Sequence, residues 1–183
     1  MDGYLKILKD KEIFKNPEHR EPDSYKDRQT VKIIVVNDKG EVALITNPVH
    51  NFFLLPGGGA ESDDLEKEAK REALEEISYY TKIIKEINKI EEFRNRDAVH
   101  SMTTCFLAEA VKENDKDLRT EGEKKNGLVV QWFELNKALE ILENQTEKVK
   151  NGEVGFYNTA FNIIRDNYFL NLYGKMKKYE RRE

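Results

Sequence analysis

The sequence predicts an α/β fold, an α/β/α sandwich built on a mixed central sheet, and three observations predict it. Two strand-like runs, 31–36 and 41–46, are joined by Asn37, Asp38, Lys39 and Gly40, a turn with the chemistry of a β-hairpin. Within 63–77, Leu65, Ala69, Ala73 and Ile77 recur at i, i+4 spacing, the apolar stripe of a helix packed on one side. Further strand-like and helical segments alternate irregularly, as expected of a mixed sheet held between helical layers.

The first thirty residues are polar and punctuated by Pro17 and Pro22, which makes 1–30 an arm or edge element ahead of a domain over 31–175. After the hairpin, 51–55 reads as a third strand. It stops at Pro56, Gly57, Gly58 and Gly59, where neither strand nor helix continues. Asp63 or Asp64 can cap the following helix. Strand-like segments follow at 81–90 and 101–111, then an acid-rich polar loop at 112–126 and a strand at 128–135 carrying Trp132. A short helix is expected at 136–143, and 156–173 has apolar residues at helical spacing and packs on the sheet. The basic end, 176–183, reads as a solvated helix tail.

Composition excludes several classes. The chain has 183 residues, 38% hydrophobic and 36% charged, enough for one domain with a real core. Its apolar runs are too short to span a bilayer, and 1–15 mixes charge into every turn, unlike a secretory leader. A net charge of −4 argues against binding duplex nucleic acid, where Lys and Arg must neutralise phosphates. A small phosphorylated ligand remains compatible, since a metal ion supplies positive charge locally. The single cysteine, Cys105, reads as an inert core thiol and agrees with a reducing cytoplasm.

The informative stretch is 55–77, LPGGGAESDDLEKEAKREALEEI. Glu72, Glu75 and Glu76 stand at i, i+3 and i+4, so their carboxylates can converge, and Glu68 lies one turn earlier. With the apolar stripe held against the core, the carboxylates should point outward. Their mutual repulsion becomes coordination when a hard divalent cation such as Mg²⁺ or Mn²⁺ is added. A Glu-rich helix by itself is ordinarily a solvated face. What overturns that reading is the glycine turn directly in front, whose backbone can approach an anion closely at a helix N-terminus. Gly57 and Gly58 are therefore candidate substrate contacts.

This segment resembles the Nudix box, at about residues 57–79: Gly, five residues, Glu, seven residues, Arg-Glu, an apolar residue, any residue, Glu-Glu, any residue, Gly and an apolar residue. Arg71-Glu72-Ala73-Leu74-Glu75-Glu76 matches its helical half, and Pro56-Gly57-Gly58 with Glu61 its opening. The hairpin before the box and 129–135 after it extend the resemblance over about residues 30 to 170. Two departures stand out. Counting back from Arg71 places the first box acid on Asp63, whereas counting forward from Gly58 places it on Asp64, so the loop is about one residue short. The closing glycine is Ser78, where a left-handed helix end is expected.

The resemblance implies a Nudix-type sandwich and a Mg²⁺-dependent pyrophosphohydrolase, with Mn²⁺ an alternative. Glu72, Glu75 and Glu76 would be the metal ligands, and Arg71 would orient a neighbouring Glu. Glu121 or Glu123, in the later loop, would assist the attacking water. Arg94 is a candidate phosphate contact and His100 a candidate substrate contact, while His50 could lie near the cleft and His19 reads as surface. The partner implied is a small phosphorylated nucleotide, and a homodimer is compatible with the sequence. The competing reading is a catalytically weak nucleotide-binding module on the same fold, favoured by the short box loop and opposed by the intact carboxylate helix. Nucleoside triphosphates, ADP-ribose and nucleotide sugars are all open as substrates, because fold analogy does not choose among them.

Overall fold

The computed structural model describes residues 5–46, 48, 51–115 and 127–180. Its strands are β1 (Lys6–Lys9), β2 (Lys26–Val36), β3 (Glu41–Thr46), β4 (Tyr79–Arg94), β5 (Val99–Glu113) and β6 (Val129–Glu134). The helices are α1 (Asp10–Ile13), α2 (Leu65–Ile77), α3 (Leu135–Lys150) and α4 (Tyr157–Glu180). The strands form one sheet in the order β1-β4-β5-β2-β3-β6. β1 with β4 and β5 with β2 are parallel, and the other neighbours antiparallel, so the sheet is mixed.

Period-two alternation sorts the central strands between two cores. Val31, Ile33 and Val35 face α2, packing with Ala69, Ala73 and Ile77. Ile34, with Leu44, Ile90 and Cys105, faces the other layer, where α3 and α4 contribute Leu142, Phe161 and Phe169. The outcome is the expected α/β/α sandwich. No helix among the described residues is long and apolar enough to cross a membrane.

The third strand expected at 51–55 does not form. Leu54 bridges to Ile45, and side chains satisfy the backbone groups of Phe53 and Leu55. The Gln145 amide brackets Phe53, accepting from its N–H and donating to its carbonyl, both at 2.7 Å. The Leu55 N–H donates to the buried Asp166 carboxylate at 2.9 Å. Those partners lie about a hundred residues away in sequence, so no local pattern announces them.

Other elements run longer than their sequence signals. β4 starts directly after α2, because Ser78 adopts the left-handed conformation (φ 58°, ψ 36°) that reverses the chain. β4 also absorbs register shifts at Tyr80/Thr81, Ile83/Lys85 and Glu86/Asn88, which blur its alternation. α3 continues to Lys150 and α4 to Glu180, through basic residues that suit a helix C-terminus. Ahead of the central strands, β1 forms the sheet edge and α1 brings Asp10 inside, where it accepts the Tyr157 hydroxyl at 2.6 Å.

Candidate active site

The glycine turn is zipped onto β2 beside the gap where β3 diverges. Ile33 N–H donates to Pro56 O, Val31 N–H to Gly58 O and Ala60 N–H to Gln29 O, all within 3.0 Å. Gly57 is required there: its φ is +126°, and a Cβ would lie 2.3 Å from the Val31 carbonyl oxygen. From the opposite face Lys32 reaches up and donates to Leu55 O at 2.7 Å and Gly57 O at 2.8 Å. The turn is thus fixed by backbone bonds on one side and an ammonium on the other.

The helix α2 starts at the cap Asp64, whose carboxylate accepts from the Lys67 N–H at 3.1 Å. Asp63 is exposed, and neither aspartate enters the carboxylate cluster formed by the helix. The expectation of outward-pointing glutamates is corrected by the structure: Glu68 and Glu72 are buried, at 4% and 6% exposure. The reason is helical geometry. At about 100° per residue, Glu72 and Glu76 lie on the flank of the apolar stripe rather than opposite it, so seating the stripe carries them beneath the turn. A Cβ on Gly58 would lie 2.9 Å from Glu72 Oε1, and the Gly57 N–H donates to Glu76 Oε2 at 2.5 Å.

Arg71 ties the cluster together. Its guanidinium donates to Glu68 at 2.9 Å, Glu72 at 2.7 Å, Glu75 at 2.7 Å and the Gly59 carbonyl at 3.2 Å. Burial raises the Glu72 pKa against the pull of Arg71. The Ser62 hydroxyl and Glu61 amide hold Glu68 below the ordinary carboxylate range. Adjacent acids of one helix are therefore held in different protonation environments.

On the other side of the turn opens a cavity of about 280 Å³, bordered by Gly57 and Gly58 and lined by Arg28, Arg94 and Arg165. Its floor is a buried chain of charges. Glu92 accepts from Arg94 at 2.9 Å, Thr103 at 2.9 Å and Arg165 at 3.2 Å. Arg165 also donates to Asp166 at 2.9 Å, and Asp166 lies 3.9 Å from the Lys32 ammonium. Burial pushes the Glu92 carboxyl up, but Arg165 and Arg94 more than reverse this. Burial also lowers Lys32, with Asp166 opposing it.

The structure brings together Arg71, Glu72, Glu75, Glu76, Gly57 and Gly58, and places Arg94 in the neighbouring cavity. Arg94 is anchored there by Glu92, Asn162 at 2.8 Å and Asn158 at 3.2 Å. His100 is held elsewhere. Ser101 lines the cavity, so its neighbour His100 faces the other side of β5, where Asp27 and Glu91 engage its ring nitrogens, each at 2.7 Å. It also stacks on Phe93, with ring centroids 4.6 Å apart. His50, Glu121 and Glu123 lie outside the described residues. The sequence reading passed over Arg28, Lys32 and Arg165, although a lysine in the middle of an apolar strand and an Arg-Asp pair inside an apolar helix both signal buried charge.

The pattern that defines the NUDIX domain matches residues 26–152, well over half of the chain. No curated protein matches it. Among solved structures, a NUDIX hydrolase from Nitrosomonas europaea is similar at 16% identity and a TM-score of 0.53, over 78% of this chain and 89% of that one. An ADP compounds hydrolase is similar at 18% identity and a TM-score of 0.55, over 90% of this chain and 78% of that one. A glycine turn on a carboxylate helix within a mixed sandwich defines the class, a hydrolase of phosphoanhydride bonds. The chain belongs to the Nudix family.

Proposed function

We propose that the protein is a Mg²⁺-dependent pyrophosphohydrolase, with Mn²⁺ able to substitute, cleaving the phosphoanhydride bond of a nucleoside diphosphate-linked substrate. The substrate types are a nucleoside triphosphate, ADP-ribose or a nucleotide sugar, met in a reducing cytoplasm. The observation that carries this reading is the seating of Glu72 and Glu76 directly beneath the glycine turn.

The donor set is carboxylate oxygen, the chemistry of a hard divalent cation, and in that respect it fits. Among the described residues no three acids stand ready as a metal cluster, because Arg71 lies between Glu68, Glu72 and Glu75. Glu72, Glu75 and Glu76 would hold the cation, with Arg71 yielding part of this grip. When bound, the metal neutralises diphosphate oxygens and activates the attacking water. Arg71 keeps Glu68 as its partner and fixes the ligand rotamers. The glycine turn keeps backbone close to the diphosphate, and Glu121 or Glu123 takes the proton from water.

A Mg²⁺-supplemented panel of ADP-ribose, UDP-sugars, nucleoside triphosphates and dinucleoside polyphosphates tests the reading. Release of phosphate, pyrophosphate or a nucleoside monophosphate is expected from at least one compound. No turnover on any of them would leave the nucleotide-binding module in its place.

A further inference from the structure

We infer that Lys32 is a positioning residue for the proposed reaction: by holding the Gly57 carbonyl, it aims the Gly58 N–H at the substrate diphosphate as a hydrogen-bond donor. The inference rests on the hydrolase reading for the identity of the anion. The orientation of the peptide rests on geometry alone.

The first observation is the direction of one peptide. Val31 and Ile33 pack on α2, so Lys32, between them, stands on the opposite face of β2. Its ammonium is 2.8 Å from Gly57 O and draws that carbonyl away from α2. No peptide bond of the chain is cis, and in a trans peptide the N–H points opposite to the C=O. The Gly58 N–H is therefore turned to the α2 side, where a Cβ on Gly58 would lie 2.9 Å from Glu72 Oε1.

The second observation is that this donor is unspent. The carbonyl of Gly58 accepts from Val31 N–H, but its own N–H has no acceptor among the described residues. Arg71, the cation of the carboxylate cluster, is already engaged by Glu68, Glu72 and Glu75. The Gly58 N–H offers a diphosphate a donor that takes nothing from those acids.

The third observation is the cost of the arrangement. Lys32 and Gly57 both border the cavity, where water could satisfy a carbonyl without burying a charge. Lys32 is instead 4% exposed and bridges two carbonyls of the turn, Leu55 O at 2.7 Å and Gly57 O at 2.8 Å. Asp166 steadies the ammonium from behind at 3.9 Å. A charged donor on the Gly57 carbonyl polarises the peptide and strengthens the Gly58 N–H at its other end. Water would give neither that polarisation nor a fixed direction.

The test follows the Gly58 amide of the full chain by ¹⁵N–¹H NMR while methylenediphosphonate and Mg²⁺ are added. The Gly58 proton should move downfield in the wild type with both present, and Mg²⁺ alone should not move it. Lys32→Met keeps the apolar stem and removes the ammonium. It should abolish the shift and weaken methylenediphosphonate binding about tenfold or more, the worth of one hydrogen bond to a charged group. Lys32→Arg, whose larger head has the adjoining cavity to enter, should restore both. If Lys32→Met does not fold, Lys32→Gln, too short to bridge both carbonyls, takes its place with the same expectation. A Gly58 proton unmoved in the wild type would overturn the inference. So would a neutral variant that loses stability while shift and affinity stay intact, since Lys32 would then be structural only. Neither readout uses turnover. Hydrolysis of the nucleotide panel with a silent Gly58 sinks this inference alone, and a responsive Gly58 without turnover sinks the hydrolase reading alone.

Discussion

The Gly57 N–H donates to the Glu76 carboxylate across 2.5 Å, joining the glycine turn to the last turn of α2. One bond therefore sets both the shape of the turn and the orientation of a proposed metal ligand. Gly57→Ala should disturb the two together, because a Cβ at φ +126° meets the Val31 carbonyl at 2.3 Å. Strain of this kind costs about 1–3 kcal/mol. The expected result is a urea midpoint lowered accordingly, with hydrolysis falling further than the stability loss explains.

Glu72→Gln and Glu76→Gln keep size and helix propensity while removing a charged oxygen. Each should lower kcat by about a hundredfold or more, equivalent to roughly 2.7 kcal/mol of transition-state stabilisation. Asp64→Ala should behave differently. Its carboxylate caps α2, so about 1 kcal/mol of stability is lost and turnover is largely kept. Near-normal turnover in both glutamine variants would return these acids to a structural role and favour the binding-module reading.

Chelation should abolish hydrolysis, and Mg²⁺ or Mn²⁺ should restore it. Four glutamates on one flank of α2 repel a diphosphate, and Arg71, paired with Glu68, Glu72 and Glu75, carries a single positive charge. Full turnover in excess chelator would refute the proposed mechanism.

Glu92 is fully buried and accepts from Arg94, Arg165 and Thr103. Glu92→Gln removes the shared anion and leaves two guanidinium groups short of it. Breaking such a buried pair costs about 3–5 kcal/mol, and chemical denaturation should read a loss of that size.

His100 joins β2, β4 and β5 through Asp27 and Glu91, and hydrogen bonding to Asp27, then to Glu91, raises its pKa above the ordinary imidazole value. A group raised on folding stabilises fully below its unfolded pKa of about 6.5 and loses that contribution as pH rises through the folded value. The wild-type advantage over His100→Gln should therefore be largest near pH 6 and fade on the alkaline side. Urea midpoints across pH 5.5 to 9 check this, and a constant difference would show that the imidazolium contributes nothing.

The sequence alone determined the fold class, the hairpin, the α2 stripe and the carboxylate set, because each is written in short-range periodicity or in one continuous motif. Ser78 is a case in point: its place after the last apolar position already marked a left-handed helix end, and the backbone adopts it. Tertiary structure alone decided the rest. Residues 51–55 looked like a strand until Gln145 and Asp166, from α3 and α4, satisfied their backbone groups. Glu72 looked solvent-facing until packing of Ala69 and Ala73 drew the flank of α2 under the turn. No continuous motif announces the cavity, since Arg28, Arg94 and Arg165 come from β2, β4 and α4 and meet only through sheet order. Short-range pattern records which face of an element is apolar. Which charges that face brings together depends on the neighbours chosen by the whole chain.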